Sequence, residues 1–183
     1  MTRYIAFLRA INVGGRVVKM DRLREIFEAR KLRNVETFIA SGNVIFDARG
    51  TDAAEVEQEI ERHLKKTLGY EVATFLRTPA ELAAIAIHPA YGASESMPAE
   101  HSLLVGFMRS ALNAEAHARL AACTSDVDEF RAHDRQTYWL CRTRLAETKV
   151  SGPRLEKALG SPVTFRNINT VRRLVAKYAA RDT

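Results

Sequence analysis

The chain has 183 residues, with 28 Lys+Arg against 22 Asp+Glu, a formal net charge of +6. Hydrophobic residues make up 46% and charged residues 27%, the mix of a globular protein with a sizeable core, which excludes collagen, coiled-coil and disordered chains. No run approaches the ~18 apolar residues of a membrane span, Met1-Thr2-Arg3-Tyr4-Ile5 has no signal-peptide profile, and Cys123 and Cys141 are too few for a disulfide framework; a cytoplasmic protein with reduced thiols and no membrane association is expected.

Residues 3–10 are rich in strand formers and predict a strand. Asn12-Val13-Gly14-Gly15 predicts a loop, because paired glycines permit backbone angles that other residues resist. Leu23, Ile26, Phe27 and Arg30 follow at helical spacing, with Asp21 placed to cap. Residues 35–40 and 43–48 are apolar-rich runs divided by Ser41-Gly42, a hairpin or tight connection. Asp52 and Glu55 form a capping box, Val56, Ile60, Leu64 and Leu68 step by four, and Gly69 ends that helix. Residues 71–77 return as a strand, and Thr78-Pro79-Ala80-Glu81 opens a connecting helix. Pro89, Gly92, Ser94, Ser96 and Pro98 make 88–100 the best linker.

The same order then recurs. A strand over 102–109 precedes a helix over 112–122, strands over 127–133 and 137–143, a helix from Gly152 to Leu159, a strand over 162–166 and a last helix bearing Val171, Leu174, Val175 and Tyr178. Strand, helix, strand, strand, helix, strand is the ferredoxin-like plan. The expected architecture is therefore α+β, with two tandem ferredoxin-like (βαββαβ) halves, a connecting helix and a C-terminal helix. Residues 1–87 form the first half, 88–100 the linker and 101–183 the second half. The repeat lies in element order and not in residue identity, as in an internal duplication.

Charge is unevenly placed. Residues 1–100 carry 14 basic and 14 acidic residues, whereas 131–183 hold 12 basic and 4 acidic ones. Residues 1–34 are also basic, with 9 against 3, while 51–70 contain Asp52, Glu55, Glu57, Glu59 and Glu61. Basic surfaces attract phosphate-bearing partners by counterion release and long-range steering, although they also serve solubility alone.

Metal and nucleophile motifs are missing. No His-Glu-x-x-His, Cys-x-x-Cys or Gly-x-Ser-x-Gly occurs, so no metal and no cofactor is expected. Cys141 lies in an apolar strand and reads as packed rather than reactive. Three polar clusters remain. The first is Arg9, Asn12, Gly14 and Gly15, continuing through Arg16 to Lys19; a glycine pair between strand and helix can present N–H groups to an anion, or can simply turn the chain. The second is Ser41-Gly42-Asn43, which also fits plain turn chemistry. The third is Arg166, Asn167 and Thr170, a donor-rich pocket at a helix start, where Asn167 or Asn169 also suits a cap. Tyr4, Phe7 and Phe46 fall on strands where an RNA-recognition sheet stacks bases, but the Lys/Arg-Gly-aromatic pattern is missing, so they read as core. Tyr138 and Trp139 alternate faces, so one of them points away from its own helices.

These clusters resemble the bacterial family known as domain of unknown function 1697. The resemblance rests on Tyr4-Ile5-Ala6-Phe7-Leu8-Arg9-Ala10-Ile11-Asn12-Val13-Gly14-Gly15, Lys19-Met20, Ser41-Gly42-Asn43-Val44-Ile45-Phe46 and Thr164-Phe165-Arg166-Asn167-Ile168-Asn169-Thr170-Val171 with Leu174. It spans essentially the whole chain. It departs at Ala10, where family members commonly have glycine. It implies a compact α+β protein and no particular activity.

Three functions are open at this level. The first is binding of a phosphate-bearing ligand, with nucleic acid or a nucleotide as partner, through Arg9, Asn12, Gly14, Gly15, Lys19, Ser41, Asn43, Arg166, Asn167 and Thr170. The second is an enzyme acting on a small anionic substrate such as a nucleotide or sugar phosphate; Arg9, Lys19 and Arg166 would hold the anion, but the clusters contain no clear general base. The third is a structural or interaction module. The oligomeric state is open.

Overall fold

The computed structural model describes residues 1–12, 14–15, 17–49, 52–90, 98 and 100–178. The protein is α+β, with two four-stranded antiparallel sheets and six helices among the described residues. The chain divides into two compact units, one of Met1–Ala83 with Leu174–Thr183, the other of Ala84–Arg173. Residues 91–97 and 99 of the expected linker lie outside the described residues.

The first unit runs β1 (Thr2–Leu8), α1 (Met20–Glu28), β2 (Arg33–Phe38), β3 (Asn43–Ala48), α2 (Ala53–Leu68) and β4 (Thr74–Arg77), followed by the start of α3 (Pro79–Ile87). Its strand order is β2-β3-β1-β4. Alternation along the strands sends Tyr4, Ala6, Leu8, Val44, Phe46 and Leu76 to one face, where they form a core with Leu23, Ile26 and Phe27 of α1 and Ile60 and Leu64 of α2. Ile5, Phe7, Ile45 and Phe75, which alternate with them, are also buried. The end of α6 (Ile168–Tyr178) belongs to this unit from Leu174 onward, and there Tyr178 Oη donates to Glu36 Oε2 at 2.9 Å.

Local signals account for most boundaries. Asp52 Oδ1 accepts from Ala54 N and Glu55 N, and Gly69 closes α2 at φ +81°. Thr78 and Glu81 bond reciprocally, Thr78 N to Glu81 Oε2 at 2.7 Å and Glu81 N to Thr78 Oγ1 at 3.2 Å, the capping box at the start of α3. Asp21 does not cap α1, because the helix begins at Met20 and leaves Asp21 inside its first turn, 3.5 Å from Arg24. Strand β2 ends at Phe38 rather than 40, because Ile39 turns to φ +51° and leaves the ladder. Strand β4 begins at Thr74 rather than 71.

The second unit contains the end of α3, then β5 (Ser102–Phe107), α4 (Ala114–Ala121), β6 (Asp128–His133), β7 (Gln136–Cys141), α5 (Gly152–Leu159), β8 (Thr164–Asn167) and the start of α6. Its strand order, β6-β7-β5-β8, follows the same pattern. Leu104, Phe130, Trp139 and Cys141 face Leu120 of α4 and Leu155 and Leu159 of α5. Burial pushes the Cys141 thiol up, as befits a packed residue. Tyr138 points to the opposite face, where its ring stacks on His88 at 5.1 Å and its hydroxyl donates to Ile85 O at 3.3 Å. Desolvation lifts that phenol to about 12.

The two sheets share a register. Phe7 pairs with Asn43 and Phe75, and Phe107 pairs with Gln136 and Thr164. Aligning Phe7 with Phe107 therefore aligns the buried amides Asn43 and Gln136. It also aligns Arg77, opposite Ile5, with Arg166, opposite Val105. Both arginines are buried, at 1% and 8% exposure.

Candidate functional site

The first two polar clusters meet at one end of the first sheet. Leu8 N donates to Gly42 O at 2.9 Å, which joins the end of β1 to the β2–β3 turn. A Cβ on Gly42 would stand 3.2 Å from the Cβ atoms of both Leu8 and Ile11, and its φ is +73°. Glycine is thus needed there for close approach as well as for conformation. Asn12 staples the two loops: its Nδ2 donates to Ala40 O at 3.1 Å and its Oδ1 accepts from Val18 N at 2.6 Å. Asn43, fully buried, donates from Nδ2 to Phe38 O at 3.0 Å and Ser41 Oγ at 2.8 Å. Asn12 and Asn43 therefore hold the shape of the loop pair.

Left-handed backbone is concentrated in these loops. Ala10 (φ +61°), Asn12 (+57°), Gly14 (+63°), Gly15 (+81°), Ile39 (+51°) and Gly42 (+73°) all adopt it. Asn tolerates that region, whereas an alanine or a β-branched residue is strained in it. Gly14 and Gly15 are exposed, and among the described residues a Cβ on either would meet no atom within 4 Å. Conformation, not crowding, requires glycine at these two positions. Lys19 is exposed and stands at the N-cap of α1, where its side chain makes no capping bond. Arg9 N donates to Ala73 O at 2.8 Å, which ties the other end of the loop to the segment before β4. Arg16 and Val13 lie outside the described residues.

The third cluster belongs to the second unit. Arg166 Nη1 donates to Thr164 Oγ1 at 2.9 Å and to Phe165 O at 2.8 Å, and desolvation lowers its pKa to about 10. Asn167 Oδ1 accepts from Asn169 N at 2.9 Å, the cap-like bond at the start of α6. Thr170 is half-buried in the first turns of that helix.

Two features were not visible from the sequence. One is Arg77, the register counterpart of Arg166; the only hint was a Thr-Phe pair shortly before each arginine. The other is a basic cavity of about 470 Å³ beside the α1–β2 turn, lined by Arg30, Lys31, Arg33 and Arg49 with Glu59. The acidic count over 51–61 hid it, because Glu57 Oε1 and Glu61 Oε1 turn away to accept from Leu76 N and Thr74 N of strand β4.

Sheet order, helix placement and the stapled loops define an α+β protein of two four-stranded antiparallel units with a polar loop pair on the first. The chain belongs to the family described as Protein of unknown function (DUF1697), whose model matches residues 1–138. Its fold is similar to that of the conserved bacterial protein SP0830 from Streptococcus pneumoniae, with a TM-score of 0.73 and 22% identity over 98% of this chain and 99% of that one. No curated protein matches the chain. No helix among the described residues is long and apolar enough to cross a membrane.

Proposed function

We propose that the protein is a cytoplasmic binding protein for a phosphate-bearing ligand, a nucleotide or nucleic acid, taken at the loop pair of the first unit. We read the two four-stranded sheets and their helices as tandem ferredoxin-like halves, 1–87 and 101–183, joined by 88–100; the shared strand order and register support this.

One observation carries the binding reading. Helix α1 starts without a cap from its own N-cap side chain, just beyond two exposed left-handed glycines. By contrast Asp52, Asn113 and Ser151 each cap their helices. A helix start offers N–H groups and the positive end of the backbone dipole, which together favour an anion. Gly14 and Gly15 let the backbone approach it, Arg9 and Lys19 supply charge, and Asn12, Ser41 and Asn43 fix the loops. In the second unit Arg166, Asn167 and Thr170 form a comparable donor set at the start of α6.

Calorimetric titration with pyrophosphate and with a nucleoside triphosphate at low salt tests this reading. Saturable binding is expected, weakened roughly tenfold by Lys19→Ala, the loss of one charge-assisted bond. Absence of binding, or binding that neither Lys19→Ala nor Arg9→Ala alters, contradicts it.

A further inference from the structure

The second unit carries a histidine pair that belongs to none of the three polar clusters. Helix α3 ends at Ile87, and the chain then runs over the face of the second sheet that bears Tyr138. There the His88 ring stacks on Tyr138 of β7 and lies against His133 of β6, with 4.3 Å between the two imidazole centroids. Arg131 Nη1 of β6 donates to Ala90 O at 2.6 Å, and Ala90 is buried. His88 Nδ1 is buried and meets no hydrogen-bond partner among the described residues. His133 is exposed, and its Nε2 stands 3.3 Å from Asp134 Oδ2.

We propose that His88 and His133 form an acid-sensitive clasp on the segment His88–Ala90: with His88 neutral the segment lies on the second sheet, and a proton on each ring releases it. Asp134 favours the first proton on His133, which is already open to water. A second proton, on His88, sets two cations against each other at the 4.3 Å ring separation. A protonated imidazole also carries an N–H at both nitrogens, and Nδ1 of His88 has no acceptor. Strand register puts two further cations on this face, Arg131 opposite Tyr138 and Arg166 opposite Val105; Glu129 offsets the first at 2.8 Å. Tyr138 is neutral, and its ring face and the Asp134 carboxylate are the groups that favour a charged His88. Burial first, and the His133 charge second, outweigh them and hold the His88 imidazole below its ordinary pKa. A lowered docked value means that docking is fully favoured above about pH 6.5 and is lost as pH falls through the docked value. The segment continues directly from α3, within which the chain passes from the first unit to the second, so the clasp acts on that connection. This inference does not rest on the loop site.

The test is NMR on the full chain, following the His88 and His133 ring resonances from about pH 8 to about pH 4.5 together with the backbone order parameters of His88 and Ala90. His88 is expected to titrate below His133 and below about 6.5. The order parameters are expected to fall with the His88 midpoint, from about 0.85 to under about 0.6. The released fraction grows by up to about tenfold per pH unit between the docked and free midpoints. His88→Phe keeps a ring on Tyr138 without a titrating group, so the segment stays ordered at about pH 5. His133→Gln removes the like charge and raises the His88 midpoint. A His88 midpoint at or above about 6.5, or unchanged order at His88 and Ala90 once both rings are protonated, overturns the clasp. Loss of order at the same pH in His88→Phe overturns it as well, because the trigger then lies elsewhere. A His88 midpoint that His133→Gln leaves in place overturns the pairing of the two histidines.

Discussion

Ala10 shows how one residue records the demands of the loop. Its φ of +61° places a Cβ where L-residues are strained by about 1–2 kcal/mol, and glycine there escapes the strain at some cost in unfolded-chain entropy. Ala10→Gly is therefore expected to stabilise the protein by about 0.5–1 kcal/mol in urea unfolding. Gly42→Ala is expected to cost about 1–2 kcal/mol or more, since it meets both left-handed strain and contacts at 3.2 Å. The glycines were legible from composition alone, but the strain at Ala10 and Ile39 was not, because nothing in alanine or isoleucine announces a left-handed angle. Asp47 supplies a pH signature. The hydrogen bond from Arg3 Nε, at 2.8 Å, holds its carboxyl below the ordinary range, helped by Asn34, which donates to Oδ2 at 2.6 Å. A depressed folded pKa means that the stabilisation is present above the unfolded value and is lost as pH falls through the folded one. Unfolding measured below about pH 4 should show this loss, of up to about 1 kcal/mol for a partly buried pair. Asp47→Asn should flatten that limb.

Among the elements, α2 departs most from its sequence reading. Its caps and apolar stripe were legible, because Asp52, Gly69 and the step of four have fixed geometric meaning. The use of its carboxylates was not, because it depends on which strand lies beside the helix. Strand β4 stands at the sheet edge, and Glu57 and Glu61 take up its outward N–H groups. An edge strand so covered presents fewer unpaired groups to other chains. Glu57→Leu removes the acceptor for Leu76 N and is expected to cost about 1–3 kcal/mol, with faster hydrogen exchange at the Leu76 amide. Glu57→Gln keeps an acceptor and should lose less. Equal losses in the two variants would show that the carboxylate charge, rather than the bond, matters. With Glu57 and Glu61 turned inward, α2 contributes Glu59, Arg62 and Lys66 as its charged residues to a neighbouring cavity of about 330 Å³.

For the whole molecule, element order was legible through both units, since the periodicity of two and of 3.6 reports which face is buried. The polar clusters were legible as residues and partly as places: the first two share one loop pair, while Asn12 spends its amide on both loops and Asn43 donates within its own β2–β3 turn. The equivalence of Arg77 and Arg166 was hidden, because it lies in strand register and the flanking residues differ by one position. The proposed phosphate site rests on exposed backbone at Gly14 and Gly15 and on the start of α1. Backbone amide chemical shifts report on those groups directly, and a 20.5 kDa chain is suited to the measurement. On titration with pyrophosphate at low salt, the amides of Gly14, Gly15, Met20 and Asp21 are expected to shift together and to saturate with one dissociation constant. If those amides stay still up to millimolar ligand while the rest of the spectrum is intact, the loop pair does not bind phosphate and the central claim is wrong.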